Sequence, residues 1–388
     1  MKTARQGYDI ICFSTSDWKS PWGSRQQIMR RLAKRHRVLF VEYQASWIHP
    51  LRYPRLLKKW WRWMKGPVEI APNLYLLSPV PGLPFGFYVR PINRMNQMLL
   101  SWQMKRALKR LGFIDPLFWI YTPLAADLLG KLGEKDIVYH CIEAYAEEIP
   151  ISIRQKTVEA MEKEIVQNAD FVLSMSQTHF QRLAAKNSDT HYFPSAVDEE
   201  CFFNGVSSKP VPQRLQEILP PRLGVLGNLD ASKIDIALLE SLAEEKPEWS
   251  LVFIGPFVRG RSAFKKLLKK RNVHWLGAVP PSEVPQYLRG IDVGLIPYRI
   301  NTFTRGICPL KLFEYLASGI SVVGTPLPEL QTFSSVVSLA AENIPFREAV
   351  ERALQEEGVE KEKRRAVGRT HTWENRVEWI ETLLEGRG

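Results

Sequence analysis

The most chemically suggestive spacing in this chain is in ICPLKLFEYLASGISVVGTPLPE (307–329), which reads as a helix running into a buried strand. Lys311, Glu314 and Ser318 share one helical face, while Phe313, Leu316, Ala317 and Ile320 form an apolar stripe. Pro309 suits the first turn. A lysine in that turn adds an ammonium to the free backbone N–H groups, a setting that favours a diphosphate. Glu314, one turn deeper, is spaced to accept hydrogen bonds from ribose hydroxyls. The same two residues can equally be a solvated i, i+3 ion pair worth about 0.2–0.5 kcal/mol. A second cradle is GVLGNLDASKID (224–235), where Gly227 and Asn228 turn out of a strand and Lys233 comes early in the next helix. No GxGxxG or P-loop pattern accompanies it, so the glycines alone are a weak signal.

Further candidates lie in the first half. Glu143 follows the apolar run DIVYHCI (136–142) and is spaced to serve as a general base, with His140 as a rival; an exposed loop glutamate and a packed histidine are the plainer alternatives. The loop DWKSPWG (17–23) offers Asp17, Trp18, Trp22 and Gly23, because indole faces stack on sugars and carboxylates bind hydroxyls; ordinary loop packing is the alternative. LRYPRLLKKWWRWMKG (51–66) holds six Lys/Arg, including Lys58, Lys59 and Arg62, and the tryptophans Trp60, Trp61 and Trp63, without an acidic residue. Such a segment suits the headgroup region of an anionic membrane, although interleaved cations and aromatics also suit single-stranded nucleic acid.

These residues need a scaffold of alternating strands and helices. YDIICFST (8–15), SRQQIMRRLAKRH (24–36) and RVLFVEY (37–43) read as a βαβ opening, with Ser24 and Gln27 at capping-box spacing. Short β-rich runs at 116–121, 136–142, 169–176 and 191–197 alternate with helical stretches at 152–168 and 177–187. The Pro/Ser-rich stretch 204–221 reads as a linker around a short helix. The pattern then restarts, with strands in PRLGVLGNL, WSLVFIGP, VHWLGAV, DVGLIPY and ISVVGTP and helices over 233–246, 261–270, 282–290 and 309–319. Two doubly wound α/β domains follow: an N-terminal one over 1–204, a linker over 205–221 and a second domain over 222–368. A C-terminal helix over 369–388 is left free to pack on either. Such sheets bind ligands at their carboxyl ends, here across a central cleft.

The 388 residues suffice for two cores, and 45% hydrophobic with 24% charged residues is a globular balance. A formal charge of +12 implies an anionic partner without choosing among lipid, nucleic acid and phosphorylated substrate. Four scattered cysteines form no CxxC pair, and no window approaches the roughly 18 apolar residues of a membrane span. A cytoplasmic protein, peripheral to the inner face of the plasma membrane, is expected.

Pro309-x-Lys311-x-x-Glu314-Tyr315-x-Ala317-x-Gly319, its following strand and Pro328-Glu329, together with VHWLGAVPPSEVPQYLRGIDVGLIPY (273–298) and FPSAVDEECF (193–202), resemble the nucleotide-binding half of GT-B glycosyltransferases. The likeness is nearly continuous from about 190 to 330 and is to bacterial teichuronic-acid and xanthan-glucuronosyl kinds. It implies two Rossmann-like domains, a nucleotide-sugar donor carrying UDP, and a saccharide or polyprenyl-linked acceptor. By the same resemblance Lys311 binds the diphosphate, Glu314 the ribose and Lys233 a phosphate or the sugar. The backbone at Leu276 and Gly277 lies by the base, and Gly227, Asn228 and Arg305 complete the donor site. The aspartate base of glucuronosyl-type relatives has its counterpart in Glu143. Gly306 and Asn228 stand where retaining relatives carry a glutamate and an arginine, so a retaining mechanism of that type is not implied. No Asp-x-Asp motif occurs, and neither metal nor other cofactor is expected. A UDP-sugar epimerase of the same fold and a noncatalytic basic membrane- or nucleic-acid-binding protein are the rival readings; with the nucleotide-sugar likeness beside segment 51–66, lipid is expected and nucleic acid is not.

Overall fold

The computed structural model describes residues 7–49, 61–143, 152–204, 210–341, 343–356 and 358–386. The chain divides into two compact units, Met1–Pro194 and Ser195–Gly388. That division falls ahead of the 205–221 stretch.

In the first unit the strands are β1 (Asp9–Phe13), β2 (Arg37–Val41), β3 (Val68–Ala71), β4 (Leu74–Leu77), β5 (Leu117–Ile120), β6 (Asp136–Cys141), β7 (Phe171–Ser174) and β8 (Thr190–Tyr192). They form one sheet in the order β3-β4-β2-β1-β5-β6-β7-β8, parallel except where β3 pairs antiparallel with β4. Every residue of β1, β5 and β7 is buried, which is why these strands read as unbroken apolar runs: helices cover both faces. The helices are α1 (Ser24–Leu32), α2 (Arg90–Leu111), α3 (Ser152–Asn168) and α4 (Gln177–Ala184). Strand order reverses between β1 and β5, so the carboxyl ends of these two strands flank a topological switch point.

The second unit contains β9 (Arg222–Leu226), β10 (Leu229–Asp230), β11 (Ser250–Ile254), β12 (Phe257–Arg259), β13 (Val273–Trp275), β14 (Val293–Ile296), β15 (Ser321–Gly324) and β16 (Ser338–Leu339). Six of them make a parallel sheet in the order β13-β11-β9-β14-β15-β16, the 3-2-1-4-5-6 order of a dinucleotide-binding fold, while β10 and β12 pair separately. Its main helices are α5 (Ile236–Glu245), α6 (Leu310–Ser318), α7 (Phe346–Leu354), α8 (Gly358–Thr370) and α9 (Trp373–Glu385). Here the switch point lies between β9 and β14. The C-terminal helix α9 is tied to this unit, since Val197 N donates to the His371 carbonyl at 2.9 Å and Trp373 N to the Val197 carbonyl at 3.0 Å.

Three local expectations change. The α1 cap is Gly23 with Gln26, not Ser24 with Gln27: Gly23 N donates to Gln26 Oε1 at 3.2 Å, and Gln27 turns to Arg31 instead. Lys233 precedes its helix, because Asp235 accepts from Leu238 N at 3.2 Å and starts α5 there. The helix expected over 261–270 is two separate 3₁₀ turns, Arg261–Phe264 and Leu267–Lys269.

Candidate functional site

Three strands of the second sheet run into glycine at its carboxyl edge: Gly227 after β9, Gly255 after β11 and Gly277 after β13, with φ of +112°, +147° and +76°. Gly227 N donates to the Ile254 carbonyl at 2.8 Å, and Gly255 N to the Gly277 carbonyl at 2.8 Å. A Cβ at Gly255 would stand 1.8 Å from the Gly227 carbonyl oxygen, so only glycine lets these turns close. Bare backbone therefore lines this edge. Gly255 is the residue sequence reasoning missed; the signal available was a glycine directly after each of three apolar runs.

Helix α6 brings Lys311 to the same edge. A Cβ on Gly227 would lie 2.6 Å from Lys311 Cε, so the lysine stem crosses the glycine. Its Nζ stands 2.8 Å from Glu314 Oε2, with the two side chains only 21% and 12% exposed. This is no solvated surface pair. Tyr315 fixes the helix from below: fully buried, its hydroxyl donates to the Gly224 carbonyl at 3.1 Å and accepts from Leu226 N at 3.1 Å. At the far end Gly319 caps α6 with φ +77°, and Arg364 Nε donates to its carbonyl at 3.2 Å. Gly368 of α8 approaches so closely that a Cβ there would meet the Ala317 Cα at 2.6 Å.

The loops after β9 and β14, on either side of the switch point, are stitched together. Asp235 N donates to the Pro297 carbonyl and Arg299 N to the Lys233 carbonyl, both at 2.8 Å. Lys233 Nζ stands 5.2 Å from the Phe303 ring centre. Asn228 is exposed, as is Arg305 at the end of the short helix Thr302–Arg305, whereas Gly306 is buried. Leu276 N donates to the Phe253 carbonyl at 2.9 Å, and its own carbonyl accepts from Arg214.

In the first unit, Glu143 is exposed just beyond β6, where its carbonyl accepts from the Cys141 thiol. His140, by contrast, is fully buried among Trp119, Tyr121 and Phe193, and neither ring nitrogen has a hydrogen-bond partner. Burial first, and the Arg25 guanidinium second, bring it down to about 3, so it is neutral at physiological pH. Trp18 packs edge-on against Trp22 and Phe40, with centroids 5.4 and 5.0 Å apart, and Trp22 keeps an exposed face. The Asp17 carbonyl accepts from Gln26 Nε2 at 3.2 Å. Glu42, buried at the end of β2, orders this region by accepting from Trp18 N at 3.3 Å and the Ser78 hydroxyl at 2.6 Å.

Lys58, Lys59 and Trp60 lie outside the described residues. Trp61 is 68% exposed and Trp63 is half-buried, while Arg62 pairs with Glu42 at 3.3 Å, so one cation of the basic segment is neutralised by a carboxylate distant in sequence. No helix among the described residues is long and apolar enough to cross a membrane.

Residues 220–355 match the family model described as glycosyl transferases group 1. Over 277 residues the chain is 33% identical to the putative teichuronic acid biosynthesis glycosyltransferase TuaH of Bacillus subtilis (strain 168), covering 65% of this chain and 68% of that protein. The chain belongs to the group 1 glycosyl transferases. The transferase's fold is GT-B, as in sucrose-phosphate synthase from Thermosynechococcus elongatus, with a TM-score of 0.71, 17% identity and coverage of 98% and 99% of the two chains. It is also similar to Anabaena HepE in complex with UDP and glucose, with a TM-score of 0.68, 15% identity and coverage of 97% and 99%.

Proposed function

We propose that this transferase moves a sugar from a UDP-sugar to a saccharide acceptor, lipid-linked at the inner membrane face, in cell-wall polysaccharide synthesis. The observation that carries the donor reading is the crossing of Lys311 over Gly227 at the carboxyl edge of the sheet, beside Glu314 and the start of α6. A diphosphate laid on the bare backbone there meets an ammonium and free helix N–H groups. The relative's printed role in teichuronic acid biosynthesis supports the pathway class.

In this reading Lys311 takes the diphosphate and releases Glu314 to the ribose hydroxyls. Lys233, Asn228 and Arg305 border the phosphates and sugar, and the Leu276–Gly277 backbone lies by the base. The acceptor oxygen bonds to the anomeric carbon as the bond from that carbon to the diphosphate oxygen breaks. Its proton passes to Glu143, and UDP leaves with its charge met by lysine and helix dipole rather than by a metal ion. Asp17, Trp18, Trp22 and Gly23 form the acceptor's contacts. The exposed Trp61 and its neighbouring cations support attachment at an anionic membrane surface.

A thermal-shift screen of nucleotides and nucleotide sugars, without divalent metal, tests this reading, since a ligand that binds the folded state raises the melting temperature. UDP and a UDP-sugar should stabilise the protein, and Glu314→Ala should reduce the shift. A panel in which no nucleotide moves the melting temperature removes the donor assignment.

A further inference from the structure

Helix α2 buries amides beside its core residues Leu100, Met104, Ala107 and Leu108 and leaves a second apolar stripe outside. Asn93, Asn96, Gln97, Ser101 and Gln103 face the interior, while Met95, Met98, Leu99 and Trp102 are 42–61% exposed. The inward amides are bonded. Asn93 Nδ2 donates to Asp127 Oδ2 at 2.7 Å, and Asn96 pairs through both side-chain atoms with the backbone of Leu83. Gln103 Nε2 donates to the Ser78 carbonyl at 3.0 Å, and its Oε1 accepts from Val80 N at 2.8 Å. The four outward residues fall at i, i+3, i+4 and i+7, one continuous stripe. A soluble helix normally turns that stripe to the core. Here the core side carries these satisfied amides together with Leu100, Met104, Ala107 and Leu108; on the stripe the Arg106 guanidinium lies over the Trp102 ring, and the apolar side chains stay exposed among the described residues.

The surroundings of the stripe select what covers it. Helix α2 carries six Lys/Arg and no acidic residue. A groove of about 640 Å³ beside it is lined by Arg94, Lys105 and Lys131 together with Met95 and Met98. Its one carboxylate, Asp127, is engaged by Arg90 at 3.2 Å and Arg94 at 3.5 Å. Phe85, just ahead of the helix, is 58% exposed and held at φ +68°, a conformation disfavoured for a bulky residue. The turn carrying Trp61 and Met64 is joined to α2, as Gln103 Nε2 donates to the Trp63 carbonyl at 3.4 Å and an Arg110 N–H to the Lys65 carbonyl at 3.3 Å. Methionine, leucine and indole fit the acyl boundary, and the flanking cations fit phosphate headgroups.

We propose that the outward stripe of α2, Met95, Met98, Leu99 and Trp102, is the surface by which this transferase lies on an anionic phospholipid bilayer. The inference rests on the membrane attachment proposed above and assigns the principal contact to α2 rather than to segment 51–66. Because the four side chains are already solvent-exposed, replacing them leaves the core intact.

Co-sedimentation with vesicles of phosphatidylcholine alone, or mixed with phosphatidylglycerol, tests it on the full chain. Wild type should pellet with the anionic vesicles, less so as salt rises. Met95→Ser/Met98→Ser/Leu99→Ser/Trp102→Ser should reduce binding by at least about tenfold, with melting temperature and UDP affinity unchanged. Trp61→Ser/Trp63→Ser should cost less than the α2 variant. If wild type pellets and the α2 variant pellets equally well, the α2 assignment fails while membrane attachment stands. If wild type binds neither vesicle, both fail. A wild-type dimer in light scattering that becomes a monomer in the α2 variant, with no vesicle binding by either, assigns the stripe to a second copy and overturns the proposal.

Discussion

Lys311 crosses Gly227 at a distance that leaves no room for a side chain, since a Cβ on the glycine would stand 2.6 Å from the lysine's Cε. One of these residues directly follows β9 and the other lies in the first turn of α6, so the proposed diphosphate cradle is assembled from segments 84 positions apart. Gly227→Ala strains a backbone held at φ +112° and displaces the lysine. Stability should fall by about 1–3 kcal/mol, read by urea denaturation, and UDP should bind more weakly. UDP affinity equal to wild type would show that the lysine does not depend on this contact.

Glu143→Gln keeps shape and hydrogen bonding and removes the proton acceptor. Turnover should fall by about 10²–10⁴ while UDP affinity stays constant. Measuring both on one preparation separates chemistry from folding. A variant that turns over like wild type reduces Glu143 to an exposed loop residue.

His140 titrates near 6.5 in the unfolded chain but only at about 3 when folded. Between those values the unfolded chain binds more protons, so this contribution is complete above pH 6.5 and is lost as pH falls towards 3. At pH 5 the loss is about 2 kcal/mol. His140→Leu should abolish that share of the acid sensitivity, seen as a smaller shift of the first unit's denaturation midpoint between pH 7.5 and pH 5, with turnover retained. An unchanged pH slope would mean that the folded imidazole takes up a proton as readily as the unfolded one.

The parallel cores were legible because strands buried on both faces leave unbroken apolar runs such as LFWI in β5 and SVVG in β15. The Lys311–Glu314 pair was legible as spacing, but its burial was not, because that depends on Gly227 and Tyr315. Residues 67–115 carry no comparable pattern. All four residues of the outer strand of the β3–β4 hairpin are exposed, and α2 has apolar residues on both its buried and its exposed side with amides among the buried ones, so periodicity carries no sign of which face is the core. Gly255 was overlooked because its necessity comes from the Gly227 carbonyl, a neighbour only in the folded sheet.

The most direct test of the account is calorimetric titration of UDP into wild type and Lys311→Ala with chelator present. The account predicts that wild type binds UDP without divalent metal and that Lys311→Ala loses about 1.5–3 kcal/mol of that affinity through one charge-assisted phosphate contact. Equal affinities for the two proteins, or wild-type binding that appears only when a divalent metal is restored, would contradict it.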